Sequence, residues 1–373
     1  MKTQIALLYA SWGWGHKKAA LALQEAFAEQ NISADAFDLL DFLPTPLSKI
    51  YSSGYSSLVR YGRFIWSWIY ETTNNGRTTY SPAKSLWQGW QFRKLKQRLA
   101  SGEYTHIVST HFLTSALLAD WKEEQWWKSV SGSVVTDYHA HRYWMRRGID
   151  AYFVPSDEVR SEMISGGIET SRVWATGIPI SLNFSNSSGI SRSQLRNELG
   201  LPIDEKLVLV LSSGLSLPRT AILVRNLRET PGKIRFLVSS GKDAPDQHQV
   251  NNLRNGDDRI QIFGISDRMP DLMKTADLLV SKPGGIVISE SLAIGLPQII
   301  LPPIPGQEEA NAAFLLRHKA GISTDLQNGN LKGVLEDVLS SSEKLTSMKQ
   351  AATSTGKPEA ARTIARLMLN QKK

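Results

Sequence analysis

A histidine follows a glycine-containing turn near the first residue of the chain. The run Ser11-Trp12-Gly13-Trp14-Gly15-His16 lies between an apolar stretch, Ile5 to Ala10, and a helical pattern, Lys17 to Gln30. Glycine permits a tight turn and a close ligand, and free N–H groups at a helix start attract anions. Histidine, with a pKa of about 6.5, suits general-base chemistry near neutral pH. Alone, the turn fits a purely structural role with an exposed histidine equally well.

Two further histidines follow an aspartate in the segment Val135 to Trp144. Asp137, His139 and His141 have the residue types of metal ligands, and His-x-His is a known ligand spacing. No fourth ligand stands nearby in the sequence, so no metal site is predicted. We interpret the segment as a substrate-binding loop at the end of a strand. The alternative is a surface loop with a packed tryptophan.

The pattern that most strongly indicates a ligand runs from Ser281 to Glu290. A strand leads through Lys282 into a turn, Gly284-Gly285, that begins a helix, and this geometry offers backbone N–H groups to a phosphate. Glu290 falls within the first two helical turns, where a carboxylate can accept hydrogen bonds from a ribose diol, as acids do beside dinucleotide sites. The sequence therefore predicts a nucleotide-binding turn.

A second strand and loop of similar character follow directly. The predicted strand, Gln298 to Leu301, leads into a proline-rich loop, Pro302 to Asn311, that contains Gln307 and Glu308. Amide and carboxylate side chains at the start of a helix suit sugar hydroxyls as hydrogen-bond partners. Two consecutive strand–loop–helix units with this chemistry indicate a nucleotide-sugar site.

Parallel strands are needed to bring these segments to one edge of a sheet. Short apolar runs alternate with helical stretches, which is typical of parallel sheets covered on both faces. The sequence predicts an α/β protein with two facing Rossmann-like domains and a central cleft, with ligand sites at the carboxyl ends of the strands. The predicted strands are Ile5 to Ala10, Thr105 to Thr110, Ser133 to Thr136, Ala151 to Pro155, Lys206 to Leu211, Ile234 to Ser239, Ile260 to Phe263, Leu278 to Ser281 and Gln298 to Leu301.

A stretch rich in Ser and Asn, Ser181 to Ser193, separates the two series of strands. We therefore predict an N-terminal domain over 1–180, a linker over 181–205 and a C-terminal domain over 206–356. A last helix, over 357–373, is predicted to begin at Lys357-Pro358, since proline suits a first helical turn. We expect this helix to return to the N-terminal domain.

The composition limits the class of protein. The chain has 373 residues, no cysteine and a net charge of +8. The lack of cysteine excludes disulfides and thiolate metal sites and fits a reducing compartment. No apolar stretch approaches the ~20 residues that span a bilayer, and the first apolar run is too short for a signal peptide. We expect a cytoplasmic protein, peripheral on the inner face of the membrane, with an anionic partner.

The charge is concentrated in one window, residues 44–100, which contains nine basic residues, one acid and eleven aromatic residues. Trp and Tyr favour the membrane interface, and each Lys or Arg adds about 1 kcal/mol of attraction to anionic lipid. We predict that this window docks on an anionic membrane; a variable insert packed on the core is the alternative. Nucleic acid is not a predicted partner, because no nucleic-acid motif accompanies the window. The residues assigned to docking are Trp66, Trp68, Trp87, Trp90, Arg60 and Arg63.

Taken together, the segments resemble the lipid glycosyltransferases related to processive diacylglycerol glucosyltransferase and monogalactosyldiacylglycerol synthase, in the superfamily that includes MurG. The resemblance spans most of the chain in order and spacing. It rests on the turn before His16, the segment from Thr136 to Trp144, the run Thr176 to Ile180, the helix start from Lys282 to Glu290 and the loop Pro305 to Ala312.

The resemblance implies a GT-B fold and inverting transfer of a hexose from UDP-glucose or UDP-galactose to diacylglycerol or a glycolipid, with no obligatory cofactor or metal. It implies His16 as the general base or as an acceptor-site residue, supported by Asp137, and an acceptor region that includes Gly15, His141 and Trp144. It implies donor contacts from Glu290 to the ribose, from the Gly284-Gly285 turn to the diphosphate, and from Gln307 and Glu308 to the sugar. The other implied donor residues are Gly214, Phe263, Met269 and Lys282.

Some positions depart from the family pattern, and other functions stay open. The loop Ser212 to Ser216 keeps one glycine where relatives are glycine-rich, and Val287 replaces a common hydroxyl residue. Either Arg219 or Lys282 can supply a cation for the leaving diphosphate. The alternatives are MurG-like transfer to a polyprenyl-diphosphate sugar, a sugar-nucleotide epimerase of the same fold, and a membrane-docked sensor without turnover.

Overall fold

The computed structural model describes residues 3–11, 13–43, 92–124, 128–185, 189–240, 247–264, 266–327 and 330–371. These residues form two compact units. Unit 1 comprises Met1–Leu182, Ile304–Ala310 and Lys357–Lys373, and unit 2 comprises Asn183–Pro303 and Asn311–Gly356. No helix in the described ranges is both long enough and apolar enough to cross a bilayer.

Unit 1 is built around a six-stranded parallel sheet. The strand order is β2-β1-β3-β4-β5-β6, so the chain first adds β2 on one side of β1 and then builds the rest on the other side. The strands are β1 (Ile5–Tyr9), β2 (Ala34–Asp38), β3 (His106–Ser109), β4 (Val130–Val134), β5 (Ala151–Val154) and β6 (Val173–Ala175), and the helices are α1 (Trp14–Ala28), α2 (Arg93–Ser101), α3 (Phe112–Glu123) and α4 (Asp157–Ser165). Short 3-10 helices cover Leu39–Phe42, Arg142–Trp144, Thr170–Arg172 and Leu182–Phe184.

Unit 2 repeats the architecture with another six-stranded parallel sheet, of order β12-β11-β10-β7-β8-β9. The strands are β7 (Lys206–Leu211), β8 (Ile234–Ser239), β9 (Ile260–Phe263), β10 (Leu278–Ser281), β11 (Gln298–Ile300) and β12 (Gly321–Ser323). The helices are α5 (Arg192–Glu198), α6 (Leu217–Glu229), α7 (Gln247–Leu253), α8 (Met269–Thr275), α9 (Gly285–Ala293), α10 (Gln307–Arg317), α11 (Asn330–Ser340) and α12 (Ser342–Thr355), followed in unit 1 by α13 (Ala360–Asn370). The first turn of α10, through Ala310, belongs to unit 1.

The central strands β1, β5 and β10 are buried on both faces, which explains their apolar sequences, while the edge strands are only partly buried. Residues 5–9 of β1 are all buried, and helices α1 and α13 cover that side of the sheet in unit 1. Leu23 of α1 and Ile364 of α13 belong to the same buried cluster, and Arg362 of α13 forms an ion pair with Glu29 just after α1 (2.7 Å). Apolar burial of this extent supplies the main stabilising free energy of each unit.

The predicted α/β class with parallel sheets is confirmed. Strands β2, β6 and β12 were not predicted, and three predicted elements begin at a clearly different residue. Helix α1 begins at Trp14, three residues earlier than predicted, which places His16 in its first turn. Strand β4 covers Val130–Val134, whereas the sequence predicted Ser133 to Thr136. The prediction was wrong because the small residues Ser131, Gly132 and Ser133 have low strand propensity, so the start of the strand was not recognised. A Cβ on Gly132 would lie 2.8 Å from Met368 Sδ, so the small residue makes room for α13.

The last helix also begins later than predicted. Residues Lys357 to Ala360 form a turn, closed by a hydrogen bond from the N–H of Ala360 to the carbonyl of Lys357 (3.2 Å). The helix starts at Ala360, so Pro358 lies in the turn before it. Proline fits a turn as well as a first helical position, which is why the sequence did not distinguish the two.

Candidate functional site

The first cluster of functional side chains lies where unit 1 changes the direction of strand addition. Strands β1 and β3 are neighbours in the sheet, yet their connections leave on opposite sides, and such a switch point opens a crevice at the carboxyl ends of the strands. His16 enters this region from the turn after β1. Thr110 and His111 enter it from the end of β3.

The His16 ring is held in one tautomer by its neighbours. Its Nδ1 lies 2.7 Å from the carbonyl oxygen of Thr110 and 3.1 Å from the hydroxyl oxygen of Thr136. A carbonyl oxygen only accepts hydrogen bonds, so Nδ1 carries the proton, and Nε2 of the neutral ring carries a lone pair. The Thr110 hydroxyl donates in turn to the carbonyl of His16 (2.8 Å), which fixes the backbone beneath the ring.

Burial keeps this imidazole neutral. It lowers the pKa of His16 below 6.5, while the charge of Asp137 and the hydrogen bond to the Thr110 carbonyl raise it and only partly offset the burial. A neutral imidazole with Nε2 unprotonated can take a proton from a hydroxyl group. The arrangement therefore has the chemistry of a general base.

His111 is a functional candidate that the sequence interpretation missed. Its ring is buried, and its centroid lies 4.4 Å from that of His16 in an edge-on arrangement. His111 also caps α3, because its Nδ1 accepts the N–H of Leu113 (3.1 Å), which places the proton on Nε2. Burial, and next the charge of His16, hold the pKa of His111 well below 6.5. Three consecutive polar residues, Ser109 to His111, at a strand end were the available signal.

Asp137 lies in the loop after β4 and is joined to a second sequence-predicted segment, in which the structure has the start of α10. The Nε2 of Gln307, the first residue of α10, donates to an Asp137 carboxylate oxygen at 2.9 Å. Glu308 accepts the N–H of Ile304 (2.7 Å), which closes the turn before the helix. The roles predicted for Gln307 and Glu308 toward a donor sugar stay predictions; within unit 1 these side chains bind Asp137 and their own loop.

Other hydrogen bonds and a packed tryptophan hold the rest of the Asp137 loop in place. Glu162 on α4 shares one carboxylate oxygen between His139 Nδ1 (2.9 Å) and the N–H of Ala140 (2.8 Å). His141 is buried and accepts the N–H of Tyr143 on its Nδ1 (3.2 Å). Trp144 is only 1% exposed and packs in the core of unit 1, where it supports the loop.

The second cluster lies at the corresponding switch point of unit 2, between β7 and β10. Gly214 follows β7 with a φ of +75°, a left-handed conformation that favours glycine. Lys282 follows β10, and its Nζ lies 3.5 Å from where a Cβ of Gly214 would stand. The structure thus brings together a glycine turn and a cation that are far apart in the sequence. Arg219, the other candidate cation, is exposed in the first turn of α6.

The helix that begins at this second cluster has an open amino end. Gly284 caps α9 without a side-chain hydrogen bond, and a Cβ added there would meet no atom within 4 Å. Its φ of −72° suits any residue, so the backbone itself does not require glycine at this position. Space and uncapped N–H groups at a helix start fit an anionic group. Glu290 stands further along α9 and is 3% exposed.

The remaining predicted residues are more dispersed. Phe263 ends β9 and Met269 begins α8, and both are partly buried in unit 2. Gly15 lies in the first turn of α1. Within the ranges that the structure describes, no three His, Asp or Glu side chains are grouped so as to hold a metal ion. The predicted docking residues Trp66, Trp68, Trp87, Trp90, Arg60 and Arg63 lie outside the described residues.

Comparisons with known proteins match both halves of the chain. Residues 16–180 match the family model for monogalactosyldiacylglycerol synthase, and residues 208–364 match that for the glycosyltransferase family 28 C-terminal domain. A processive diacylglycerol beta-glucosyltransferase from Bacillus cytotoxicus is 26% identical over 99% of this chain and 94% of its own length.

Solved structures show the same fold at low sequence identity. MurG from Acinetobacter baumannii superposes with a TM-score of 0.65 at 13% identity, over 99% of this chain and 100% of that protein. Anabaena HepE in complex with UDP and glucose gives 0.57 at 16% identity, over 99% and 100% of the two chains. These likenesses confirm the predicted GT-B fold class.

Proposed function

We propose a donor and an acceptor for this chain. Through residues 16–180 it belongs to the monogalactosyldiacylglycerol synthase family, and through residues 208–364 to glycosyltransferase family 28. The chain is a glycosyltransferase. Its proposed reaction transfers a hexose from a UDP-sugar to diacylglycerol or to a glycosylated diacylglycerol, with inversion and at a membrane surface.

The observation that carries the acceptor side is the tautomer of His16. Its Nδ1 is committed to the Thr110 carbonyl, so the lone pair on Nε2 is available for the acceptor hydroxyl proton. In the proposed step, the hydroxyl oxygen bonds to the anomeric carbon of the sugar and its proton passes to Nε2. The bond from that carbon to the UDP oxygen breaks, and UDP leaves with the electron pair. The charge of Asp137 stabilises the resulting imidazolium.

The donor is assigned to unit 2 because its switch point presents groups that suit a nucleoside diphosphate. The open amino end of α9 and the nearby Lys282 ammonium suit the two phosphates, and the Glu290 carboxylate suits the ribose hydroxyls. Anabaena HepE, which has the same fold, binds UDP and glucose, and this supports the same class of donor here. The Bacillus relative is named for diacylglycerol and glucose, which supports the acceptor and the hexose.

A product assay tests this function directly. The full-length protein is incubated with UDP-glucose or UDP-galactose and with diacylglycerol, monoglycosyl-diacylglycerol or a polyprenyl-diphosphate sugar, and the lipids are analysed by mass spectrometry. We expect a mass gain of one or more hexoses on diacylglycerol or its glycoside. Transfer only to the polyprenyl lipid, conversion of the nucleotide sugar without acceptor, or no turnover with any lipid would each reject the proposal.

The membrane association is proposed from the basic window, of which the structure describes one helix. In α2, Leu95 and Leu99 are buried while Arg93 and Lys94 are exposed, so the helix presents positive charge away from the core. Exposed lysine and arginine bind anionic lipid in a salt-dependent way. Replacing Arg60, Arg63, Arg93 and Lys94 with Gln should weaken sedimentation with anionic vesicles, with the difference from wild type shrinking as salt rises.

The matched control replaces four basic residues that lie outside the window. Arg225, Arg228 and Lys319 belong to unit 2 and Arg366 lies in α13 of unit 1, and together they carry the same total charge. This second quadruple Gln variant should sediment with vesicles as wild type does. Equal loss in both variants would show an effect of net charge alone, and no loss in the first would show that its basic residues form an ordinary solvated surface.

A further inference from the structure

A buried glutamine begins a strand next to the edge strand of the sheet in unit 2. Gln298 begins β11, which pairs with β10 on one side and β12 on the other, and the residue is 0% exposed. Its neighbours in the strand, Ile299 and Ile300, are apolar and buried, as expected for a parallel sheet covered on both faces. A buried amide at such a position lowers stability unless its polar atoms find partners.

The amide nitrogen of Gln298 holds the start of the nucleotide-binding turn. Its Nε2 donates to Ser281 Oγ at 2.8 Å and lies 3.3 and 3.4 Å from the carbonyl oxygens of Ser281 and Lys282. The Nδ2 of Asn311, a residue that is 1% exposed, donates to the next carbonyl, that of Pro283, at 3.1 Å. Two buried amides therefore fix three successive carbonyls immediately before the Gly284 cap.

The other end of the Gln298 amide is not satisfied. Its Oε1 is buried and accepts no hydrogen bond from the part of the chain that the structure describes. An unsatisfied buried oxygen costs stability, and a hydrocarbon side chain of similar shape would not incur that cost. Fold stability therefore gives no reason for glutamine over methionine at this position. The hydrogen bonds to the turn are what only the amide supplies.

We propose that Gln298 is a positioning residue for the donor. By fixing the carbonyls of Ser281 and Lys282, it orients the peptide groups that lead into α9 and the stem of Lys282, and so sets the geometry that receives the diphosphate. The inference rests on the proposed donor site in unit 2. Preorganised donors bind an anion more tightly than mobile ones because less ordering occurs on binding.

The test separates stability from ligand binding. Gln298→Met keeps the approximate shape of the side chain and removes both the hydrogen bonds to the turn and the buried oxygen. We expect its melting temperature to equal or exceed that of wild type, while the Kd for UDP, measured by calorimetry, rises about 5- to 50-fold. Unchanged UDP affinity would overturn the inference. A melting temperature several degrees lower would also overturn it, because it would show that the glutamine stabilises the fold.

A buried amide elsewhere in unit 2 supplies the matched control. The Asn226 side chain donates to the carbonyl of Ile222 (2.8 Å) and accepts the N–H of Lys332 (3.2 Å), and it is 1% exposed. Asn226→Leu should lower the melting temperature and leave the Kd for UDP unchanged. The two variants therefore have opposite expected signatures, which a general loosening of the fold would not produce.

A second variant tests the same contact in case Gln298→Met does not fold. Ser281→Ala removes the hydroxyl partner of Gln298 at the strand end, and it should weaken UDP binding about 2- to 5-fold without loss of folding. Unchanged affinity in this variant would count against the inference. The proposed function is judged separately: if wild type itself does not bind UDP, the donor assignment fails, whereas UDP binding by wild type that is insensitive to Gln298 rejects only this positioning role.

Discussion

The two units place different chemistry at the same position of the same architecture. In each, a helix begins at the switch point of a six-stranded parallel sheet, and its cap is a glycine, Gly13 or Gly284, with no side-chain hydrogen bond. A Cβ on either glycine would meet no atom within 4 Å. Unit 1 adds two neutral imidazoles, and unit 2 adds a lysine and a buried glutamate. The fold thus determines where a ligand approaches, and a few side chains determine what happens to it.

The units also differ in how these side chains are held. In unit 1 the His16 ring is fixed by the carbonyl and hydroxyl of threonines, and the Asp137 loop is fixed by a partly exposed glutamate, Glu162. In unit 2 the turn before α9 is fixed by amides with almost no exposure. The unit 1 site is therefore held in part by titratable neighbours, while the turn in unit 2 is held by neutral amides.

The largest expected effect comes from removing the proposed base of unit 1. His16→Ala should lower kcat by roughly 10²- to 10⁴-fold and leave the Kd for UDP nearly unchanged, because the imidazole is proposed to act on the acceptor proton. Since burial lowers the pKa of His16, the acid limb of the wild-type kcat profile should fall below pH 6.5. Steady-state kinetics across pH and calorimetry with UDP measure both quantities.

His106 provides the control for that variant. It lies in the same strand as Ser109 but at the opposite edge of the sheet, where its Nδ1 is 2.9 Å from the Thr105 hydroxyl oxygen. His106→Ala should therefore keep kcat within a few-fold of wild type. A similar loss in both variants, or a kcat for His16→Ala close to wild type, would show that another group accepts the proton.

The next effect concerns the edge of the unit 2 sheet that lies opposite its ligand site. Asp277 is buried among Arg192 (2.9 Å), Arg196 (3.0 Å) and Lys349 (3.2 Å). Asp277→Asn should lower the free energy of unfolding by about 3–5 kcal/mol, because it leaves the buried Arg196 and its partly exposed neighbours without their anion. Urea denaturation measures this change. In native protein the Kd for UDP should stay near the wild-type value, and a large rise would mean that the two edges are not independent.

The pH dependence of that contribution has a definite sign. Burial alone raises the pKa of Asp277, but the N–H of Leu207 and the charges of Arg192 and Lys349 outweigh it and bring the pKa from 3.8 to about 2. A carboxyl with a depressed folded pKa stabilises the fold fully above its unfolded value and loses that effect as the pH falls through the folded one. The difference in stability between wild type and Asp277→Asn should thus shrink between pH 4 and pH 2.

A smaller effect is expected at the ribose side of unit 2. Glu290→Ala should raise the KM for the UDP-sugar by one to two orders of magnitude, because a charge-assisted hydrogen bond is worth about 1.5–3 kcal/mol. Glu336, on α11 of the same unit, gives the control, and Glu336→Ala should leave KM unchanged. If a folded Glu290→Ala binds the donor as wild type does, the contrast between a proton-transfer unit and a donor unit is wrong.

The sequence was sufficient for the architecture because the relevant signals are local. Apolar strand runs, glycine turns and helix patterns lie within a few residues of one another, and their alternation implied two parallel sheets. The pairing of His16 with His111, and of Lys282 with Gly214, depends on which strands are neighbours, so no spacing along the chain contained it. His111 was missed for this reason, although its position at a strand end was visible.

The buried amides show a second limit. The sequence pattern places Gln298 in a predicted strand, since one polar residue beside two isoleucines does not change the pattern. Its importance appears only once the neighbouring strand is known to end at Ser281. The bounds of β4 were predicted wrongly for a related reason, because Gly132 makes room for a helix that follows only at the far end of the chain.

The smallest expected effect concerns the partly exposed ion pair that holds the Asp137 loop of unit 1. The hydrogen bond from His139 to Glu162 raises the pKa of His139 above 6.5; burial opposes this, and the charges of Glu162 and Asp137 add to it. A cation with a raised folded pKa stabilises its environment fully below its unfolded value and loses that effect as the pH rises through the folded one. The charged pair should therefore hold the Asp137 loop most firmly near pH 6 and least near pH 9.

Glu162→Gln keeps an acceptor for the N–H of Ala140 and removes the charge. A partly exposed ion pair is worth about 0.2–1 kcal/mol, so kcat/KM should fall at most about 5-fold at pH 6 and approach the wild-type value at pH 9. Glu169→Gln, which removes an exposed ion pair with Arg172 elsewhere in unit 1, should show no such pH-dependent ratio. A ratio of wild type to Glu162→Gln that is constant from pH 6 to pH 9 would mean that Glu162 supports the loop through its hydrogen bonds alone. Protonation of His139 would then have no effect on activity, and the two units would differ only in the side chains at their switch points.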